Sequence, residues 1–143
     1  MEFRDRHKMI TDYYDALTRS LCERHALTRM EYDTLMFLFA NPEVRTAAEI
    51  VRLRRSTKSH VSIALAALEE RGFIARRRCS TNKKRIDLFV SEEGAEIARE
   101  GVALQQRLMA DLFSGLSDEE MEVYRRVFEK ICKNAEAHLK DKA

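Results

Sequence analysis

The sequence predicts a mainly α-helical fold with one small β-hairpin, and three observations lead to that prediction. Its 143 residues include four glycines and one proline, which leaves little material for turns and favours long helices. The helix-start pattern Ser/Thr-x-x-Glu precedes three apolar repeats, beginning at Thr28, Thr46 and Ser117. Between residues 74 and 90 the apolar period changes to two, which is the period of β-strands.

Two helices open the chain. Apolar residues recur every four positions from Met9 to Leu21, which predicts one apolar face on a helix over residues 3–24. The segment 28–40 is apolar around much of its helical circumference, so we expect this second helix to form the centre of the core. Asn41-Pro42 then ends it, because a residue before proline is disfavoured in the helical conformation.

Two shorter helices follow, over residues 46–53 and from about Thr57 to the residue before Gly72. In the second of these, one side is apolar and predicted to be buried, with Val61, Leu65 and Leu68. The other side carries only Lys58 and small residues, so nothing large prevents close approach: Ser59, Ser62 and Ala66. Glycine at the end of a helix can adopt positive φ and reverse the chain.

The remaining segments form a hairpin and two long helices. Strands at 74–79 and 85–90 flank a polar, basic turn, and Ser91 caps a helix that runs to about residue 113. A last helix runs from Ser117 to near the C-terminus. With the first helix, these two present apolar stripes longer than a small core can cover, which predicts a second copy of the chain as partner.

Composition limits the classes of protein. No apolar run is long enough to span a membrane, and the charged N-terminus lacks the apolar stretch of a signal peptide, so we expect a cytoplasmic protein. Three cysteines in no framework spacing favour a reduced setting, with Cys22 and Cys132 expected as small buried side chains. Cys22 and His25 alone are too few for a metal site. No catalytic motif occurs, so we expect no enzyme, metal or cofactor.

Positive charge is concentrated in one segment. Residues 52–85 hold 11 Lys and Arg against 2 Asp and Glu, a net charge of +9, whereas the remainder holds 15 against 22, a net of −7. A short helix, a turn, a second helix with a small polar front and a basic hairpin together predict a winged helix-turn-helix. Its second helix would enter the major groove of DNA, and its hairpin would lie on the backbone or in the minor groove.

Three strings carry a resemblance to a known family: "LTRMEYDTLMFL", "EIVRLRRSTKSHVSIALAALEERGFI" and "NKKRIDLFVSEEG". In this order they resemble the MarR family of bacterial transcriptional regulators, and the resemblance covers essentially the whole chain. It implies one MarR-like domain over residues 1–143, with a DNA-binding lobe at 28–90 and dimerisation helices at 1–24 and 91–143. It also implies a homodimer that represses a pseudo-palindromic operator until a small, frequently aromatic, ligand binds.

The helix and hairpin, read with the family, give a set of candidate DNA contacts. They are Arg54, Arg55, Thr57, Lys58, Ser59, His60, Ser62, Ile63, Arg76, Arg78, Asn82, Lys83, Lys84 and Arg85. Two positions depart from the family pattern. Asn82 and Lys84 stand where the family has an Asp-x-Arg wing tip, so we expect a turn there and no ion pair. Arg54-Arg55 replaces the more usual apolar-Gly pair between the two helices.

Other interpretations remain open at this point. The chain could be a non-specific, architectural DNA-binding protein, or a protein-interaction module built on the same scaffold. Cys79 lies among arginines, which could lower its pKa and make the regulator redox-responsive. Tyr13 and Tyr14 could line a ligand cleft, although packing between dimer helices explains them more simply.

Overall fold

The computed structural model describes residues 1–142, which form six α-helices and two β-strands. In chain order these are α1 (Phe3–Arg24), α2 (Arg29–Ala40), α3 (Ala47–Arg54), α4 (Lys58–Glu70), β1 (Ile74–Arg78), β2 (Ile86–Val90), α5 (Glu92–Leu112) and α6 (Asp118–Asp141). The prediction of a mainly helical winged helix fold is confirmed, and the element boundaries lie within two residues of those expected. None of the helices in this described part is both long enough and apolar enough to cross a bilayer.

The chain divides into two compact units, residues 1–108 and a second unit that begins at Met109. The core of the first unit forms where α2 packs against α4, and α4 packs in turn against α3 and β1. Tyr32 and Leu35 of α2 and Val61, Leu65 and Leu68 of α4 have no exposed surface. Each fully buried aliphatic side chain contributes about 1.5–3 kcal/mol to the free energy of folding. This contact therefore fixes the rotation of α4 about its own axis.

The predicted hydroxyl cap is present at all three helix starts, and the full capping box at two of them. At Thr28 and Ser117 the hydroxyl accepts the amide three residues on, and the glutamate there returns to the amide of the cap. At Thr46 the prediction of a reciprocal capping box is wrong, because the Glu49 carboxylate instead accepts the Thr46 hydroxyl at 2.8 Å. A further box opens α1, where Glu2 takes the place of the usual hydroxyl residue.

The C-terminal end of α4 is fastened to both α1 and α5. The Arg71 guanidinium donates to the carbonyl oxygens of His25 and Ala26, just beyond α1, where Ala26 has a φ of +50°. Gly72 reverses the chain with a φ of +76°, as predicted, and its carbonyl accepts the Ser91 hydroxyl at 2.6 Å. Ser91 Oγ also accepts the amide of Gly94. Ser91, just before α5, therefore links the start of that helix to Gly72, just after α4.

The second unit contains the end of α5, a turn and α6. Phe113 packs against Tyr124 with ring centroids 5.0 Å apart, and Tyr124 stacks on Phe128 at 5.5 Å. No residue of α6 is buried. The expectation that Cys132 is a small buried side chain is therefore wrong for the single chain, where it is exposed. Cys22 is half-buried, and its burial raises the pKa of its thiol.

Candidate nucleic-acid interface

The turn between α3 and α4 depends on an unusual arginine conformation. Arg55 ends α3 with φ +52° and ψ +37°, a left-handed conformation in which a non-glycine residue is strained. The amide of Ser56 then donates to the carbonyl of Val51 at 3.2 Å, which closes the turn. The Thr57 hydroxyl accepts the amide of His60 at 3.2 Å and starts α4.

The polar side of α4 faces outward over its whole length. Lys58, Ser59, Ser62 and Ala66 are all exposed, on the side opposite the buried apolar residues. His60 is also exposed, and Ile63 keeps 68% of its surface accessible. The predicted helix contacts therefore form one continuous exposed surface, and the apolar Ile63 is part of it.

The hairpin places alternate arginines on opposite faces. β1 and β2 pair antiparallel with Ile74 opposite Val90 and Arg78 opposite Ile86. The buried Ile74 shares a face with Arg76 and Arg78, so these two arginines extend the face that begins in the core. At the tip, the Asn82 side chain accepts the amide of Lys84 at 3.1 Å, so a turn of the backbone shapes the tip.

Some of the predicted cations have partners within the protein. Arg76 lies 3.4 Å from Glu69, and Arg85 donates to Asp87 at 2.6 Å. The Arg85–Asp87 hydrogen bond raises the pKa of the Arg85 guanidinium. Arg54 instead lies over the Phe37 ring, 5.4 Å from its centroid. These contacts orient the side chains and reduce the positive charge that Arg76 and Arg85 present.

Other cations lack an acidic partner. Within residues 1–142, no carboxylate lies within 4 Å of the side-chain nitrogens of Arg55, Lys58, Arg78, Lys83 or Lys84. An unpaired, exposed cation attracts a phosphate without first breaking an ion pair, so these five are the strongest electrostatic candidates. They lie in the turn before α4, at its first residue and on the hairpin.

Cys79 lies at the base of the wing tip, where it makes one backbone hydrogen bond and one side-chain contact. Its amide donates to the carbonyl of Arg85 at 2.9 Å, and its sulfur lies 3.3 Å from the Thr81 hydroxyl. Hydrogen bonds from that hydroxyl, and from the amides of Thr81 and Asn82, stabilise the thiolate and lower the pKa of Cys79 below its ordinary value. The prediction of a lowered pKa is confirmed, but hydrogen bonds are the main cause, in place of the neighbouring arginines.

The candidate DNA contacts leave out three arginines of the basic segment, and one of them, Arg71, binds the chain after α1. Arg52 lines a cavity of about 380 Å³ beside α4, together with Lys58, Ser62 and Arg76. Arg77 lies on the opposite face of β1 and packs over Phe89. Strand alternation from Arg76 was the signal that could have found Arg77. No local pattern places Arg52 beside Lys58, because the two residues lie on different helices. The described residues form no group of three or more His, Cys, Asp and Glu that could hold a metal.

Tyr14 packs inside the first unit. The Arg29 guanidinium lies 4.1 Å from the centroid of its ring, and the same guanidinium is hydrogen-bonded to Asp15 and to Asp33. Burial raises the pKa of the nearby Tyr32 hydroxyl. Tyr14 therefore packs within its own chain against Arg29, the first residue of α2, and this contact tests neither the ligand cleft nor packing between dimer helices.

The strained conformation of Arg55 predicts that glycine stabilises the protein at residue 55 but destabilises it at residue 54. We expect Arg55→Gly to raise the free energy of unfolding by about 0.5–1 kcal/mol, since relief of the left-handed strain exceeds the larger chain entropy of glycine. Arg54→Gly, one residue earlier and inside α3, should lower it by about 1 kcal/mol. Urea denaturation of both variants measures the difference. A loss of stability in both would show that Arg55 is not strained.

The surroundings of Cys79 predict a thiol that ionises at a lower pH than an ordinary cysteine. The thiolate accepts the Thr81 hydroxyl, so loss of that donor must raise the pKa toward the ordinary value. We expect Thr81→Val to shift the pH midpoint of Cys79 alkylation by iodoacetamide upward, followed by mass spectrometry of the peptide. Thr81→Ser, which keeps the donor, is the control. An unchanged midpoint in Thr81→Val would contradict the assignment.

Comparison with known proteins gives three findings. A sequence model of the MarR family matches residues 25–85, the segment from the end of α1 to the wing tip. The HTH-type transcriptional regulator YybA of Bacillus subtilis (strain 168) is 28% identical over 134 residues, which cover 90% of this chain and 85% of YybA.

Solved structures share the fold. The transcriptional regulator SlyA superposes with a TM-score of 0.85 at 23% identity, and the match covers 100% of both chains. MepR of S. aureus, in its complex with DNA, superposes with a TM-score of 0.81 at 21% identity, over 94% of this chain and 96% of MepR. The family match over residues 25–85, the similarity to YybA and this shared fold make the chain similar to the MarR family of winged helix transcriptional regulators.

Proposed function

We propose that this chain is a homodimeric repressor that binds a pseudo-palindromic operator in double-stranded DNA and is released by a small-molecule ligand. The observation that carries the proposal is the exposed polar front of α4, formed by Lys58, Ser59 and Ser62. Beside it lie cations for which residues 1–142 provide no acidic partner. The match of residues 25–85 to the MarR family supports it, as does the fold shared with MepR, which has been solved in complex with DNA.

The front of α4 reads bases in this proposal. Ser59 and Ser62 have short side chains, so the helix backbone can approach the base edges closely, and their hydroxyls contact bases directly or through water. The exposed Ile63 offers an apolar surface to a thymine methyl group. Thr57 and Lys58, at the start of the helix, face the phosphate backbone, and His60 adds a phosphate contact when it is protonated.

The wing supplies phosphate contacts that depend little on sequence. The described residues provide no acidic partner for Arg78, Lys83 and Lys84, so these cations displace counterions from the backbone when DNA binds. Arg85 is held by Asp87, and this ion pair keeps one cation directed along β2. Because Asn82 and Lys84 replace the family's Asp-x-Arg, the wing lacks the arginine fork that a narrow minor groove favours.

A second copy of the chain completes the proposal. α6 exposes an apolar groove of about 570 Å³, whose lining includes Leu116, Val123, Tyr124, Val127, Phe128 and Ile131. A surface of this kind on a lone chain favours a partner, and a second copy is the simplest one. Residues 28–90 then act as the DNA-binding lobe and residues 1–24 and 91–143 as the dimerisation helices, with two α4 helices about one DNA turn apart.

A redox-responsive regulator is the second candidate function. The hydrogen bonds that lower the pKa of Cys79 favour it, since a thiolate is the form that oxidants attack. Oxidation there would add polar atoms at the base of the wing tip and change the turn that presents Lys83 and Lys84. A small aromatic effector remains the first candidate, and it would act by favouring a dimer in which the two lobes are wrongly spaced for DNA.

If α4 reads bases and the wing binds phosphates, substitutions in these two elements should weaken DNA binding in different ways. Ser62→Ala should weaken binding to the preferred duplex by about 1–3 kcal/mol and leave a scrambled duplex nearly unchanged. Lys83→Ala combined with Lys84→Ala should weaken both duplexes about equally and reduce the slope of log K against log salt by about 1–2 units. The duplex is obtained by repeated selection from a random pool, and titrations at several salt concentrations give the constants.

Ala66→Ser is the control for α4, since it changes another small exposed residue of the same helix. Equal losses on both duplexes in Ser62→Ala would make Ser62 a backbone contact. Failure of selection to enrich any sequence would favour a non-specific architectural protein and contradict the proposal.

The apolar groove on α6 predicts that one buried charge dissociates the dimer. Ile131→Glu places a carboxylate within the groove, where burial against a second copy would cost several kcal/mol. We expect sedimentation velocity to show a shift from dimer to monomer at micromolar concentration. Asn134→Glu adds the same charge to α6 outside the groove lining and should stay dimeric. A dimeric Ile131→Glu variant would show that this surface is not the interface.

A further inference from the structure

The chain just after α1 leaves two carbonyl oxygens without a backbone partner. Ala26 adopts a left-handed conformation with φ +50°, and the amide of Leu27 then donates to the carbonyl of Cys22 at 2.8 Å. Among the described residues, no backbone amide donates to the carbonyl oxygens of His25 or Ala26. Carbonyl groups at the C-terminal end of a helix carry a partial negative charge, so they favour a cationic donor.

Arg71, at the end of α4, supplies that donor. Its Nη1 donates to the carbonyl oxygen of Ala26 at 2.7 Å, and its Nη2 donates to that of His25. The ring of Phe73 covers the guanidinium, with its centroid 4.9 Å from the central carbon. Two hydrogen bonds and one ring contact leave the guanidinium little freedom to move. The side chain is exposed and the core forms elsewhere, where α4 packs against α2, so we expect the protein to fold without it.

The same end of α1 is also bound to α5. The Arg24 guanidinium donates to one oxygen of the Glu100 carboxylate at 2.9 Å, and His25 Nε2 lies 3.4 Å from the other oxygen. Among the described elements, α4 packs along α2, α3 and β1 but not along α1. The helices α1 and α5 are two of the proposed dimerisation helices, and α4 is the proposed reading helix. Arg71 therefore connects the reading helix to the point where two dimerisation helices meet.

We propose that Arg71 is a positioning residue that sets the spacing of the two α4 helices in the dimer, and so the half-site spacing that the protein selects in an operator. The inference rests on the proposed function, since it needs two copies that read DNA together. One added base pair moves two half-sites about 3.4 Å further apart and rotates them by about 35°. Holding α4 at one angle to α1 lets the dimer distinguish such operators. Arg71 lies about 20 Å along the helix from Lys58, so it acts through α4 and does not contact the bases read there.

Titrations of the full chain with duplexes of altered spacing test the proposal. The selected duplex is compared with duplexes that carry one base pair more or fewer at the centre, and with a duplex of one half-site. The parent protein should lose about tenfold in affinity at each altered spacing. Arg71→Gln should weaken binding to the selected duplex about fivefold and leave the other duplexes unchanged, which reduces the spacing factor to about twofold. Arg71→Lys keeps the charge but not the planar fork, so it should give an intermediate factor.

Arg99→Gln is the matched control, because it removes an arginine of α5 that pairs at 3.0 Å with Glu92 of the same helix. It should keep the spacing factor of the parent protein. Sedimentation and the unfolding transition show whether each variant is dimeric and folded, and Arg71→Lys decides the question if Arg71→Gln is not.

Two results would overturn the inference and leave the proposed function intact. They are a spacing factor in Arg71→Gln equal to that of the parent protein, and an equal loss on every duplex including the half-site. A parent protein that binds every spacing equally well would overturn both the inference and the symmetric dimer of the proposed function.

Discussion

The burial of one face of α4 against α2 is the constraint on which the rest of the structure depends. Val61, Leu65 and Leu68 have no exposed surface, so the helix cannot rotate about its axis without exposing them. That rotation determines which residues face outward, and these are Lys58, Ser59 and Ser62. A surface able to read DNA therefore follows from apolar packing on the other side of the same helix.

The position of the wing follows from how α4 ends. Gly72 permits the reversal, and the Ser91 hydroxyl holds its carbonyl to the start of α5. Arg71 adds hydrogen bonds to the chain just after α1. These contacts join the end of α4 to two other helices, so β1 leaves α4 in a fixed direction. Arg78 and the lysines of the tip are then carried on the same rigid unit as the helix front.

Much of this could be predicted from sequence because the signals are local. The spacing of apolar residues and the helix-cap patterns predicted every helix and strand. The helical spacing of residues from Val61 predicted which side of α4 is exposed. Contacts between distant residues could not be predicted. Arg71 meets the end of α1 across more than 40 positions, and no local pattern indicates this. One local contact could not be predicted either, because the Glu49 carboxylate can accept the Thr46 hydroxyl or the Thr46 amide, and the residue types are the same in both cases.

Contacts between distant residues also determine which side chains surround Phe89 in β2. Arg45 and Arg77 meet at Phe89 only because the strand register and the Arg45–Leu88 hydrogen bond bring three separate segments together. The sequence predicted that apolar stripes on the terminal helices lack cover, and the described part of α6 has no buried residue. Packing within one chain leaves that surface unexplained, which is why the proposal needs a second copy.

Hydroxyl-radical footprinting on a selected duplex tests the central claim most directly, that α4 and the wing bind DNA as a symmetric pair. The account predicts two protected regions related by a two-fold axis, with their centres about one helical turn, or roughly 10–10.5 base pairs, apart and with weaker protection on each outer side where the wings lie. Uniform protection along the duplex, or one protected region without symmetry, would contradict it.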